Sequence, residues 1–204
     1  MKLLYQTHSP FARKVLVFAH EAGLADRLLV EPHETSPTRS NDAVFALNPL
    51  GKVPVLERAD GPPIFDSDVI CAYLDTLNEG EKLIPAEGER RWRGLQMQAV
   101  AQGMADAGIA VRWESERRPP AFRFAPLRTG YEHKLHMAYR WLDRELEVRE
   151  RLHVGHIALA TTLDWLLFRD LPSFRDHAIL WRWFVDMTER PSMRATPLHG
   201  ETRD

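Results

Sequence analysis

The sequence predicts a mixed α/β half followed by an all-α half. Three observations carry this reading. The chain opens in strand–helix–strand order, a short hairpin falls between residues 53 and 66, and near Glu87 strand-like alternation gives way to long helical periodicity.

Each element has its own signal. Lys2 to Tyr5 read as a short strand. Val15, Phe18, Ala19 and Ala22 then recur at helical spacing, and Gly23 stands where a helix ends. Arg27 to Glu31 read as a second strand, parallel to the first because a helix connects them. Pro32 to Asp42 is polar and proline-bearing, which suits a loop. Val53, Val55 and Leu56 make a third strand, Ala59-Asp60-Gly61 a turn, and Ile64-Phe65 the start of a fourth, antiparallel strand. Ser67 is placed to cap a helix in which Ile70, Tyr73, Leu74 and Leu77 share a face. Helices are expected over Leu95–Glu116, Leu127–Leu146, Ile157–Phe168 and Phe174–Thr188, punctuated by prolines. Two domains follow, residues 1–80 and 87–204.

Composition narrows the function classes. The chain has 204 residues, 44% hydrophobic and 27% charged, the profile of a globular protein. With 27 basic and 29 acidic residues the net charge is −2, which offers no field suited to nucleic acid or an acidic membrane. The clusters Arg90, Arg91, Arg93 and Arg117, Arg118 read as solvated helix faces. The lone Cys71 excludes an internal disulfide and fits a reducing compartment. No long apolar stretch precedes Pro10, so neither a signal peptide nor a membrane span is expected, and the cytoplasm is the default location.

Three segments are candidates for chemistry. Ser9-Pro10-Phe11-Ala12-Arg13-Lys14 joins the first strand to the first helix, where unpaired N–H groups and the Ser9 hydroxyl suit an anion; Ser9 as a plain helix cap is the alternative. Asn48 to Val55 carries Pro54 at the entry of a strand. A cis Val53-Pro54 bond would turn the Val53 backbone outward for an extended peptide; an ordinary edge-strand proline is the alternative. Asp66-Ser67 opens a helix and suits the two charges of an amino-acid head group, or serves as a cap.

These three segments, in this order, together with Asp106-Ala107-Gly108 and Arg190-Pro191-Ser192, resemble the cytosolic glutathione S-transferase family, and in particular its bacterial, YibF-like members. The resemblance covers nearly the whole chain. It implies a thioredoxin-like N-terminal domain, an all-helical C-terminal domain, a homodimer, glutathione as co-substrate and no metal. It implies that Ser9 donates to the glutathione sulfur, that Val53 pairs with the cysteinyl backbone beside a cis Pro54, and that Asp66 and Ser67 hold the γ-glutamyl head. It further implies Lys52 at the glycyl carboxylate and Asp106 at the γ-glutamyl amine across a dimer. A small electrophile, of the detoxification type, is expected between the domains, against Phe11, Met104, Gly108, Arg112 and Trp113.

Two positions depart from the family pattern. Thiol-transferring members carry cysteine where this chain has Ser9, so disulfide reduction through an enzyme thiol is not implied. The usual Ser/Thr-x-x-Asp capping box near residue 155 is replaced by His153-Val154-Gly155-His156. Two histidines without thiol or carboxylate support are not read as a metal site, but as altered capping. A non-catalytic binding protein of the same fold, and a glutathione-dependent peroxidase or dehalogenase, are the competing readings.

Overall fold

The computed structural model describes residues 1–201; the end of the expected second domain, 202–204, lies outside the described residues. The chain runs β1 (Lys2–Tyr5), α1 (Pro10–Glu21), β2 (Leu29–Pro32), α2 (Asp42–Phe45), β3 (Val55–Arg58), β4 (Gly61–Ile64), α3 (Ser67–Leu77), α4 (Gly88–Arg112), α5 (Ala125–Glu145), α6 (Val154–Phe168), α7 (Ala178–Thr188) and α8 (Pro191–Arg194). The sheet order is β2-β1-β3-β4. β1 and β2 are parallel, and the two remaining pairs are antiparallel. This is a small mixed sheet followed by a helical array, the two-part α/β and all-α architecture expected from the sequence.

Alternation along β1 places Leu3 and Leu4 in different apolar clusters, one toward the helices and one with Val44, Val53 and Val55. In the helical half, α6 is buried almost throughout and packs most extensively on α4. A helix apolar on every side must sit inside, and it also meets α1 of the first half. The connection between α3 and α4 is pinned by Asp75, whose carboxylate accepts from the N–H groups of Leu83 (2.9 Å) and Ile84 (3.2 Å). The carbonyl of Leu83 then accepts from Val154 N–H at 2.8 Å, docking the connection onto the start of α6.

Several boundaries differ from the sequence reading, each for a local reason. β2 begins at Leu29, because Ala25–Arg27 forms a 3-10 turn. β4 occupies Gly61–Ile64 instead of starting at Ile64; Pro62 and Pro63 are accommodated because this is the edge strand. The helix cap is Asp66, not Ser67: its Oδ1 accepts from Asp68 and Val69 N–H at 3.0 and 3.4 Å. The polar stretch after Pro32 ends in α2, capped by Asn41. α4 starts at Gly88, seven residues before Leu95, through a charged turn without apolar periodicity. It gives way at Trp113 to a wide π-helical turn. α7 starts at Ala178, with Phe174 buried in the preceding loop. The clusters Arg90, Arg91 and Arg93 are half-buried and engaged: Arg91 donates to Pro85 O at 2.9 Å, and Arg93 pairs with Glu147.

His153 and His156 rebuild the missing capping box with nitrogen in place of oxygen. His153 Nδ1 accepts from His156 N–H at 3.4 Å, and His156 Nδ1 accepts from His153 N–H at 3.3 Å. The rings stack with centroids 3.7 Å apart. Both are fully inside, so burial holds them neutral. His156 is pushed down to about 3, with His153, Arg90, Arg190 and Arg93 adding to the effect. His153 is also lowered by burial, against the opposing charge of Glu150.

The reciprocal cap requires unprotonated Nδ1 atoms, so acid acts on it directly. A histidine kept neutral by the fold contributes fully above its ordinary value of 6.5, and that contribution is lost as pH falls from there toward about 3. Thermal melts between about pH 7 and pH 5 are expected to show a loss of about 1 kcal/mol or more in the parent chain. The double variant His153→Ser/His156→Asp, which keeps the cap with oxygen acceptors, is expected to flatten that decline. Parallel curves for the two proteins would show that the histidine pair is not the acid-sensitive element.

Candidate functional site

A cavity of about 470 Å³ opens where the start of α1 meets the end of α4. Its lining brings together Ser9, Phe11, Lys52, Val53, Asp106, Arg112 and Trp113 from the sequence-derived candidates. Gln6, His8, Thr35, Gly51, Ile109, Arg117 and Trp165 join them.

Ser9 is the N-cap of α1, its Oγ accepting from Ala12 N–H at 3.2 Å. Pro10 follows at the first helical position, where a missing N–H is no loss. The capping bond uses an oxygen lone pair and leaves the hydroxyl proton as a donor. Cap and donor are therefore compatible roles for one side chain. Ser9 is only 7% exposed, so a hydrogen bond made there is poorly screened.

The preceding residue, His8, is tied to the helical half: its carbonyl accepts from Trp165 Nε1 at 3.0 Å. Burial lowers the His8 pKa, Arg169, Arg112 and Arg117 push the same way, and Glu34 opposes them. Enclosure is thus the main reason the ring is disfavoured as a cation, and the largest single charge effect on it is that of Glu34.

On the opposite side, residues 35–54 form a braced corner. Asn48 Nδ2 donates to Lys52 O at 2.9 Å, and its Oδ1 accepts from Leu50 N–H at 3.0 Å. Thr35 Oγ1 donates to Gly51 O at 2.9 Å. Gly51 has φ of +61°, and a side chain there would collide with the Phe45 ring. The Val53-Pro54 bond is cis, as is Phe65-Asp66. The β3 ladder begins at Val55, so Val53 lies just outside it with its backbone beyond the register.

Asp66, Ser67 and Pro54 are not part of the cavity lining. Ser67 is 1% exposed and its Oγ has no hydrogen-bond partner, an orphaned hydroxyl at the start of α3. Asp106 lies in the fields of Lys52, Asp66 and Lys14; partial burial, the largest influence, raises its pKa. Asp106 thus faces the cleft of its own chain. Met104 and Gly108, expected as pocket walls, lie elsewhere. Met104 is 2% exposed in the core, and a Cβ on Gly108 would come within 2.7 Å of the Trp165 ring. Both belong to the α4–α6 packing face, and Ile109, one residue past Gly108 and about 100° further round the helix, lines the cavity.

Residues 8–77 match the family described as Glutathione S-transferase, N-terminal domain. A solved glutathione transferase family member from Pseudomonas fluorescens Pf-5, with bound glutathione, is 36% identical, with a TM-score of 0.93 over 98% of this chain and 99% of that one. This chain belongs to the glutathione transferase family. A second structure from that organism holds S-(propanoic acid)-glutathione, at 35% identity and a TM-score of 0.88 over 98% and 100% of the two chains. The uncharacterized GST-like protein YibF of Escherichia coli is 29% identical over 83% of each chain.

Two further clusters in this member of the family bear on thiol and metal chemistry. Cys71 is fully buried, and that burial pushes its thiol up to about 12 despite the nearby Lys14 ammonium. Glu150, His153 and His156 gather their ligand atoms within 4.8 Å. Each Nδ1, however, accepts a backbone N–H, so the proton of the neutral ring sits on Nε2 and its lone pair is not available to a cation. Metal ligation through Nε2 would move that proton to Nδ1 and undo the cap.

A disulfide reagent at neutral pH is therefore expected to leave Cys71 unmodified in the native protein and to modify it promptly in denaturant. Rapid modification of the native chain would return Cys71 to consideration as a reactive thiol.

Proposed function

We propose that the protein is a glutathione transferase enzyme that holds glutathione as a thiolate and directs it at a small electrophile. The observation that carries the reading is Ser9, a buried hydroxyl on the cavity wall whose capping bond leaves its proton to donate. The glutathione-bound relatives support the same assignment of ligand.

The physical requirement is modest. A free thiol titrates near about 8.5, and lowering this by roughly two units needs about 2.7 kcal/mol in favour of the anion. A charge-assisted hydrogen bond from Ser9 and the positive end of α1 together have about that size. The arginines that oppose protonation of His8 act in the same direction. Once ionised, the sulfur attacks an electrophilic centre, and the protein's remaining work is positioning.

In this reading Val53 offers its backbone to the cysteinyl unit as an added strand, beside cis Pro54. Lys52 meets the glycyl carboxylate. The orphaned Ser67 hydroxyl, with Asp66, holds the γ-glutamyl head, and Asp106 meets the γ-glutamyl amine. Phe11, Trp113, Arg112 and the neighbouring Arg117 face the second substrate. The reading extends to a cytoplasmic homodimer, which sedimentation tests directly. Among the described residues no helix is long and apolar enough to cross a membrane.

Ser9→Ala is expected to retain the fold and most glutathione affinity, lose about 1 kcal/mol of stability with the cap, and lose about tenfold or more in conjugation rate. The bound thiol pKa, followed by ultraviolet thiolate absorbance, should rise toward its free value. Undiminished turnover would leave Ser9 as a cap alone. Ser67→Ala is expected to weaken glutathione binding about tenfold with little change in melting temperature. Unaltered affinity would remove Ser67 from the site.

A further inference from the structure

A hydroxyl stabilises an anion best when its position is fixed in advance, and three distant parts of the chain fix the turn that carries Ser9. Ser9 N–H donates to Gln6 O at 3.1 Å, closing residues 6–9 between β1 and α1. Gln6 is held through its side chain, whose Nε2 donates to Thr35 O at 2.9 Å and Glu34 Oε2 at 3.2 Å. His8 is held through its carbonyl by Trp165. Thr7, between them, is held by His199 through two hydrogen bonds. Thr7 Oγ1 donates to His199 O at 2.8 Å, and His199 N–H donates to Thr7 O at 3.3 Å.

The segment that reaches Thr7 is anchored along the whole of α1. Arg190 and Ser192 both donate to Glu21, the last residue of α1. Nearer the other end, Arg13 donates from Nη2 to Met193 O at 3.3 Å and from Nε to Thr196 Oγ1 at 3.5 Å. Leu198 packs against the main core, and the next residue pairs with Thr7. Residues 190–199 thus run antiparallel to α1, from its last turn to the turn before its first. Gly200 follows at φ of +90°, and a Cβ there would come within 3.2 Å of Thr7 Oγ1, so a glycine suits this close approach.

The Thr7–His199 contact serves geometry more than stability. It is solvent-exposed, where a hydrogen bond exchanges readily with water and adds little to folding. Thr7 has a single hydroxyl proton, and His199 O receives it, so Thr7 is not a second donor for a sulfur. Neither Thr7 nor His199 lines the cavity.

Resting on the glutathione reading of Ser9, we infer that Thr7 and His199 are positioning residues. Residues 190–199 form a strap along α1 whose final contact fixes the turn carrying Ser9, and so sets how well the bound thiolate is stabilised. Both residues act through Ser9. Loss of the contact lets the turn shift, and small displacements weaken a hydrogen bond whose strength depends steeply on geometry.

Three full-length variants test this. Thr7→Val keeps the side-chain shape without the donor, His199→Pro removes the N–H, and Thr7→Ser keeps the hydroxyl. Each is compared with the parent for the pH midpoint of glutathione thiolate absorbance, for kcat and KM with a chromogenic aryl halide, and for melting temperature. Thr7→Val and His199→Pro are each expected to raise the midpoint by about one, roughly a tenfold loss of thiolate below it. They are also expected to lower kcat about tenfold in that range, with KM for glutathione within about twofold of the parent and the melting temperature nearly unmoved. Thr7→Ser is expected to restore parent values. A parent-like midpoint in either Thr7→Val or His199→Pro overturns the inference, whether or not the melting temperature falls. So does a Thr7→Ser variant that behaves like Thr7→Val. If the parent chain shows no thiolate absorbance with glutathione, the Ser9 reading fails and this inference with it.

Discussion

The cleft depends on one hydrogen bond, from the Trp165 indole N–H to the His8 carbonyl. It joins the buried central helix of the second half to the residue preceding Ser9, so the cap of α1 is positioned from outside its own domain. The neighbouring Asp164 pairs with the buried Arg13, whose Nη2 also donates to Met193 O at 3.3 Å. Farther along α1, Glu21 accepts from Arg190 at 2.8 and 2.7 Å. α1 is thus clamped along its length, and the hydroxyl of Ser9 has little freedom to move relative to the far wall. Such preorganisation is what makes a single hydrogen bond effective on a developing or resident anion.

Electrostatics across the cleft has two ends. Near Lys52, Asp106 and Asp66, opposite charges are interleaved, which suits a ligand carrying both an ammonium and carboxylates. Near His8, burial disfavours the charged imidazole, with Glu34 opposing and Arg169, Arg112 and Arg117 reinforcing it. Positive charge close to a thiol favours its anionic form, and Arg112 and Arg117 line the cavity that Ser9 borders.

The start of α6 shows how one physical demand can be met by different chemistry. A buried helix N-terminus needs acceptors for its first N–H groups. Histidine Nδ1 atoms supply them here, at the cost of making the cap sensitive to acid. In the sequence, the pair looked like a lost capping box, because periodicity and composition do not distinguish a histidine acting through Nδ1 from one acting as a ligand or a cation.

What the sequence by itself determined was local or periodic in origin. The βαβ start, the hairpin, the helical second half and the segments around Ser9, Pro54 and Asp66 are set by spacing, capping and proline placement within a few residues. The capping role fell to Asp66, one residue from the expected Ser67, since boundary geometry turns on backbone angles that the pattern does not encode. Tertiary structure alone decided which faces of α4 look inward. Met104 and Gly108 went to the packing face with α6, while Ile109 and Arg112 went to the cavity. It alone turned Arg117 from an apparent solvated helix face into a wall of the cleft, through a wide turn that helical periodicity does not anticipate. The reason is the same in each case: a side chain's neighbours within its own element are fixed by sequence distance, and its neighbours across a cleft are fixed by how two elements pack.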